Sequence, residues 1–208
     1  MKSKSGIVCI VLGAALLLGA LVLSRLNLRE DQQAKQASME VLPQLMQQIQ
    51  ERTAEEETEP TQAQLQIPVE LLTEEEKQMT EVEIDGNLYI GYLSVPAVQI
   101  DLPVMSTWSY PKLKIAPCRY TGSVRGEDMV LMAHNYTGHF KSLSKLEIGD
   151  DVYFMDMDGN EIHYAVVGKD ILEATAVEEM TAGAFDLTLF SCTYGGSARI
   201  TIYCDQVK

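Results

Sequence analysis

Basic residues are scarce in this chain of 208 residues: 16 Lys and Arg stand against 30 Asp and Glu, a formal net charge of −14. That balance excludes a nucleic-acid binder, which needs a basic face to meet phosphates. Cysteine is sparse as well. Cys9, Cys118, Cys192 and Cys204 are scattered with no C-x-x-C pair, which excludes a zinc ribbon or a thioredoxin-like motif. An exported protein could join Cys118 to Cys204, a pairing that the sequence leaves open. Histidine occurs three times, and His139 and His163 have no metal-ligand spacing to a cysteine. The letters "DMDGNE" (Asp156 to Glu161) imitate a calcium loop, but the spaced ligand series and the closing glutamate are missing. No metal or other cofactor is expected. No aromatic residue lies between positions 30 and 83, and no internal repeat is found.

What is present divides the chain in three. Residues 6–23, "GIVCIVLGAALLLGALVL", run for eighteen positions without a charge, enough to cross a bilayer core as a helix. A cleaved signal peptide would carry a shorter apolar region followed by a small-x-small site. The run instead ends in "LVLSRLNLRE", so residues 1–29 read as a cytoplasmic tip and an uncleaved signal-anchor. Lys2 and Lys4 favour an inside N-terminus, while Arg25 and Arg29 on the other flank weaken the bias. Residues 30–83 read as a Gln/Glu-rich stalk, a solvated spacer, with twelve acidic and three basic side chains over residues 30–80. Part of it is expected to be helical, because Val41, Leu42, Leu45, Met46 and Ile49 recur at helical spacing.

Residues 84–208 form the expected domain. Short runs rich in β-branched and aromatic residues follow one another, punctuated by Gly and Pro: "LYIGYLSV", "VQIDLPVM", "DMVLMAH", "FDLTLFSC" and "ARITIYC". Two further runs flank Asp158-Gly159, a strong hairpin signal. "HFKSLSKL" has a helical spacing. Many short strands with few helices predict a small, mainly β, closed barrel.

The candidate chemistry lies near the end of the chain. Strand alternation puts Leu187 and Leu189 on one face and Thr188, Phe190 and Cys192 on the other. A free cysteine in such a place is most often a small buried hydrophobe. The six-residue return "TYGGSA" changes the weighing, because it brings Arg199 back towards Cys192. A cation beside a thiol favours the nucleophilic thiolate and can stabilise an oxyanion. Alone, Arg199 would be an ordinary edge-strand charge. His134 closes the run "DMVLMA" and could pair with Cys192 as a general acid and base; a lone histidine is otherwise a hydrogen-bonded structural residue. His139 and His163 read as structural or surface residues.

These residues together resemble the sortases, the membrane-anchored cysteine transpeptidases of Gram-positive cell surfaces. The T-L-x-T-C signature corresponds to Thr188-Leu189-Phe190-Ser191-Cys192, followed by Arg199 on the next strand; the hydroxyl before the cysteine is kept as Ser191. "LMAHNYTGHFKSL" resembles the histidine element and "GYLSVPAVQIDLPV" the first barrel strands, so the likeness covers about residues 88–205. "CTYGGSAR" is similar to the class B pattern. The resemblance implies a catalytic set of His134, Cys192 and Arg199, with Ser191 beside the substrate. It implies cleavage of an LPxTG-type sorting signal through a thioacyl-enzyme, then transfer to an amine of a cell-wall precursor or a pilin lysine. It also implies a single-pass protein of the cell membrane with its catalytic domain outside. Papain-like peptidases place the cysteine before the histidine, and the S-H-G-C motif of L,D-transpeptidases is absent. A non-catalytic, membrane-tethered barrel that binds a partner is the remaining alternative.

Overall fold

The computed structural model describes residues 3–56, 73 and 77–208. The element furthest from sequence expectation is the first. Helix α1 runs unbroken over Ser3–Glu56. Its N-terminal half is apolar and open: Val8, Leu12, Leu16 and Leu21 are all exposed, and its most apolar 18-residue window has a mean hydropathy of 2.3 with no part buried. By length and composition it can cross a membrane. From Glu30 onward the same helix lies against the body of the protein. Ala34, Ser38, Val41, Leu45 and Ile49, spaced three or four apart, are buried, as a stripe on one helix face must be. The expected spacing was therefore right for Val41, Leu45 and Ile49, but this half of the helix is packed rather than hydrated. The negative charge is carried by the outward face, which composition alone does not distinguish from a free spacer. The remainder of the acidic segment, residues 57–72 and 74–76, lies outside the described residues.

Among the described residues nine strands follow: β1 Val82–Ile84, β2 Asn87–Val95, β3 Ile100–Met105, β4 Cys118–Thr121, β5 Met129–Ala133, β6 Asp151–Asp156, β7 Glu161–Glu173, β8 Leu187–Cys192 and β9 Ala198–Gln206. Their order is β1-β2-β3-β4-β5-β8-β9-β7-β6, and β6 also pairs with β2. Eight strands thus close into a barrel, and β1 forms a hairpin on its rim. Most neighbours are antiparallel, but β3–β4 and β5–β8 are parallel, so the barrel is mixed. Leu93, Leu102, Leu131, Phe154, Leu189 and Ile202 fill its interior. Gly91 marks a bulge in β2; its φ of 146° and the closeness of the Met155 carbonyl leave no room for a Cβ. The β6–β7 turn has Gly159 at φ 82°, as the Asp-Gly signal predicts.

The α1 stripe packs on the outside of this barrel. Leu45 joins Val82, Tyr89, Met105, Leu113 and Cys118 in a second cluster. Two short helices, α2 (Tyr110–Leu113) and α3 (Val177–Thr181), and the 3-10 turn Phe140–Lys145 occupy connections. All four cysteines are free. Cys118 lies under α1 and Cys204 in the barrel interior, on opposite sides of the wall.

Candidate active site

β5 and β8 run parallel through the barrel wall, with Val130 opposite Thr188 and Ala133 opposite Ser191. Leu131, Leu187 and Leu189 point into the interior cluster, while Val130 and Phe190 belong to an outer one. The alternation then carries Cys192 to the outer face. The next step of the same register brings His134, the residue after β5, alongside Cys192. On the other flank, β9 pairs antiparallel with β8, and Cys192 stands directly across from Arg199. Directly opposed residues project from the same face. Two strand pairings therefore bring His134, Cys192 and Arg199 together from positions up to 65 residues apart.

The return loop is tightly organised. Thr193 N–H donates to the Ala198 carbonyl at 2.9 Å, and Gly196 N–H donates to the Thr193 carbonyl at 2.9 Å. Ala198 N–H donates to Thr193 Oγ1 at 3.1 Å. Gly195 and Gly196 have φ of 87° and 76°, a region that costs other residues dearly. Arg199 Nη1 donates back to the carbonyls of Gly196 at 3.2 Å and Ala198 at 3.1 Å. The short loop thus holds the arginine to its own turn.

Cys192 is the half-buried thiol of the barrel. The others differ: burial pushes the Cys118 thiol up to about 12 and raises that of Cys204 further, so neither forms a thiolate at neutral pH. His134 is half-buried, and desolvation holds its imidazole below the ordinary value. Lys114 pushes in the same direction and Glu30 opposes. Its ring lies 4.8 Å from that of Tyr136. Ser191 is 1 % exposed. Its Oγ is buried without a hydrogen-bond partner, on the Leu187–Leu189 side of the strand, so it backs Cys192 from within the wall rather than lining the outer face. Below Cys192 the outer face is aromatic: Phe190 meets Tyr120 edge-on at 5.6 Å, and Tyr120 stacks on Trp108 at 5.8 Å.

Sequence reasoning missed the contribution of α1. Glu30 accepts from Lys114 Nζ at 3.1 Å and from the Tyr136 hydroxyl at 3.3 Å. Asp31 accepts from the Thr137 N–H. Ser38 Oγ donates to the Ile115 carbonyl at 2.7 Å and lies 3.4 Å from His139 Nε2. Gly138 sits so close to Lys35 that a Cβ there would collide with it. His139 is fully buried, and burial lowers it to about 4. The loop after His134 is thereby clamped to the helix. The letters "ED" at positions 30–31 carried no signal of this, because their partners lie more than 80 residues away. His163 is a surface residue, 2.7 Å from Asp151 Oδ1. Among the described residues, no group of three or more His, Cys, Asp or Glu side chains is placed to hold a metal ion.

A family model described as the sortase domain matches residues 93–207. A search of curated protein sequences found no match to the chain. Similar solved structures include sortase C1 of Streptococcus suis, with 27% identity over 58% of this chain and 73% of that one, at a TM-score of 0.52. Sortase C of Clostridium perfringens, solved with the C-terminal cell wall sorting motif, is 22% identical over 81% of this chain and 90% of that one, at a TM-score of 0.53. Sortase C of Streptococcus pneumoniae is 21% identical over 81% and 97%, at a TM-score of 0.57. These three neighbours are class C enzymes, whereas "CTYGGSAR" resembles the class B pattern. That stretch is short, and its length and glycines answer to the β8–β9 hairpin.

Proposed function

The chain belongs to the sortase family of cysteine transpeptidases, and on that premise we propose that His134, Cys192 and Arg199 carry its reaction. The single observation behind this assignment is the double register that sets His134 and Arg199 on either side of Cys192 on one outer face. The Cys192 thiolate attacks the carbonyl carbon of a peptide bond in a sorting signal of the LPxTG kind. The oxyanion formed is met by the Arg199 guanidinium, whose Nη1 is engaged by the loop carbonyls and whose Nε–H and Nη2–H groups remain for the substrate. His134, as imidazolium, donates a proton to the departing amine as the C–N bond breaks, leaving a thioacyl-enzyme. An acceptor amine then adds to the thioester, giving its proton to His134. The C–S bond breaks and the thiolate is restored.

The class C likeness favours a pilin amine as the acceptor over a cell-wall precursor. The Streptococcus pneumoniae relative is described in terms of pilin substrate specificity. The apolar half of α1 serves as a signal-anchor with its N-terminus inside and the barrel outside. The full chain in detergent, incubated with an LPxTG-type peptide and a pilin-derived lysine peptide, should give the ligated product by mass spectrometry. Ligation to a cell-wall stem peptide but not to the lysine peptide would overturn the pilin assignment.

A further inference from the structure

We propose that the Cys192 end of the barrel is held facing the lipid headgroups, with the 193–197 loop as a membrane-contacting surface. The direction follows from two contacts at opposite ends of the docked helix. Near its membrane end, Glu30 and Asp31 bind Tyr136 and Thr137, just beyond the C-terminal end of β5. Near its far end, Thr53 lies against Gly159 in the β6–β7 turn. That turn is tied by the Asp158–Arg125 ion pair, 3.5 Å, to the loop that leads into β5. β5 therefore runs against α1, from the far end towards the membrane. β8 is parallel to β5, so Cys192 and the loop after it share the membrane end.

The height is set by a rigid ruler. From Leu23, the end of the apolar run, to Glu30 is seven residues of continuous helix, about 10 Å at 1.5 Å per residue. Pro43, the one proline within α1, lies beyond this stretch. The loop "TYGGS" suits the position. It carries no charge to desolvate, and Tyr194 is 95% exposed, a ring of the type that collects at membrane interfaces. Arg25 and Arg29, between the apolar run and the dock, add the positive charge that phosphates attract. The inference rests on α1 spanning a bilayer in a sortase. It means that the scissile bond must be presented close to the membrane surface.

Trp108 is the single tryptophan, so a clean reporter can be moved. In a Trp108→Phe background, the full chain is prepared with Tyr194→Trp or with Gln50→Trp. The second position lies about 30 Å further along α1 than Glu30. Each is placed in vesicles of phosphatidylcholine and phosphatidylglycerol containing a lipid spin-labelled at its headgroup. Fluorescence at position 194 should be quenched several-fold more than at position 50. Inserting ten Gly/Ser residues between Leu28 and Arg29 should level the two. Equal quenching without the insertion, stronger quenching at 50, or a difference that survives the insertion would overturn the proposal. None of these readings uses catalysis, so the assignment of Cys192 stands or falls separately.

Discussion

A half-buried histidine next to a lysine has two reasons to lose its proton early. Desolvation and Lys114 both lower His134, and Glu30 partly restores it. The pH dependence of kcat/KM should therefore show a limb below the ordinary histidine value of about 6.5. Lys114→Met removes a lowering influence and should move that limb up. Glu30→Gln removes a raising influence and frees Lys114, and should move it down. A limb unmoved by both changes would detach His134 from these neighbours. Arg199 is argued from geometry alone. Arg199→Ala should reduce kcat/KM by about 10²–10³-fold, the usual cost of a lost oxyanion donor. Arg199→Lys should recover little of it, because an ammonium lacks the planar fork. The shared outer face of Cys192, His134 and Arg199 is legible in the sequence, since Cys192 ends one plainly alternating strand, His134 directly follows another and Arg199 is the second residue of a third. The same alternation turns Ser191 to the inner face, where its hydroxyl is buried.

At the scale of elements, the strands announced themselves and the dock did not. β2, β3, β5, β8, β9 and the β6–β7 hairpin follow from runs of apolar and β-branched residues between turn signals. β4, four residues long, is set by its neighbours rather than by its own pattern. The Val41–Leu45–Ile49 stripe showed a helix, but not the surface that covers it. That surface is assembled from β1, β2, β3 and the α2 segment. Leu45 is fully buried there, so Leu45→Ala should cost about 2–5 kcal/mol in denaturant unfolding of the full chain. Met46 is exposed one position on, and Met46→Ala should cost little. Equal, small losses at both positions would mean that α1 is not docked in solution.

For the whole molecule, the buried His139 links acid stability to the helix dock. Its folded value is lowered to about 4 by burial, against about 6.5 in the unfolded chain. The unfolded state thus binds the extra proton first, and stability falls as pH drops from about 6.5 to about 4. The difference of roughly 2.5 pH units corresponds to about 3 kcal/mol at most. His139→Gln should flatten this part of the stability–pH curve; a slope unchanged by the substitution would place the titrating group elsewhere. The apolar half of α1 and its docked half form one continuous helix, whose C-terminal part packs on the outside of the barrel.

The proposed reaction turns on a thioacyl bond between Cys192 and a sorting signal, with His134 and Arg199 on either side. Its most direct measurement is intact-protein mass spectrometry of the full chain in detergent after reaction with an LPxTG-type peptide, followed by peptide mapping. The expected result is an acyl adduct on Cys192, discharged by an added amine and absent in Cys192→Ala. An adduct on another cysteine, or peptide cleavage that persists in folded Cys192→Ala, would contradict it.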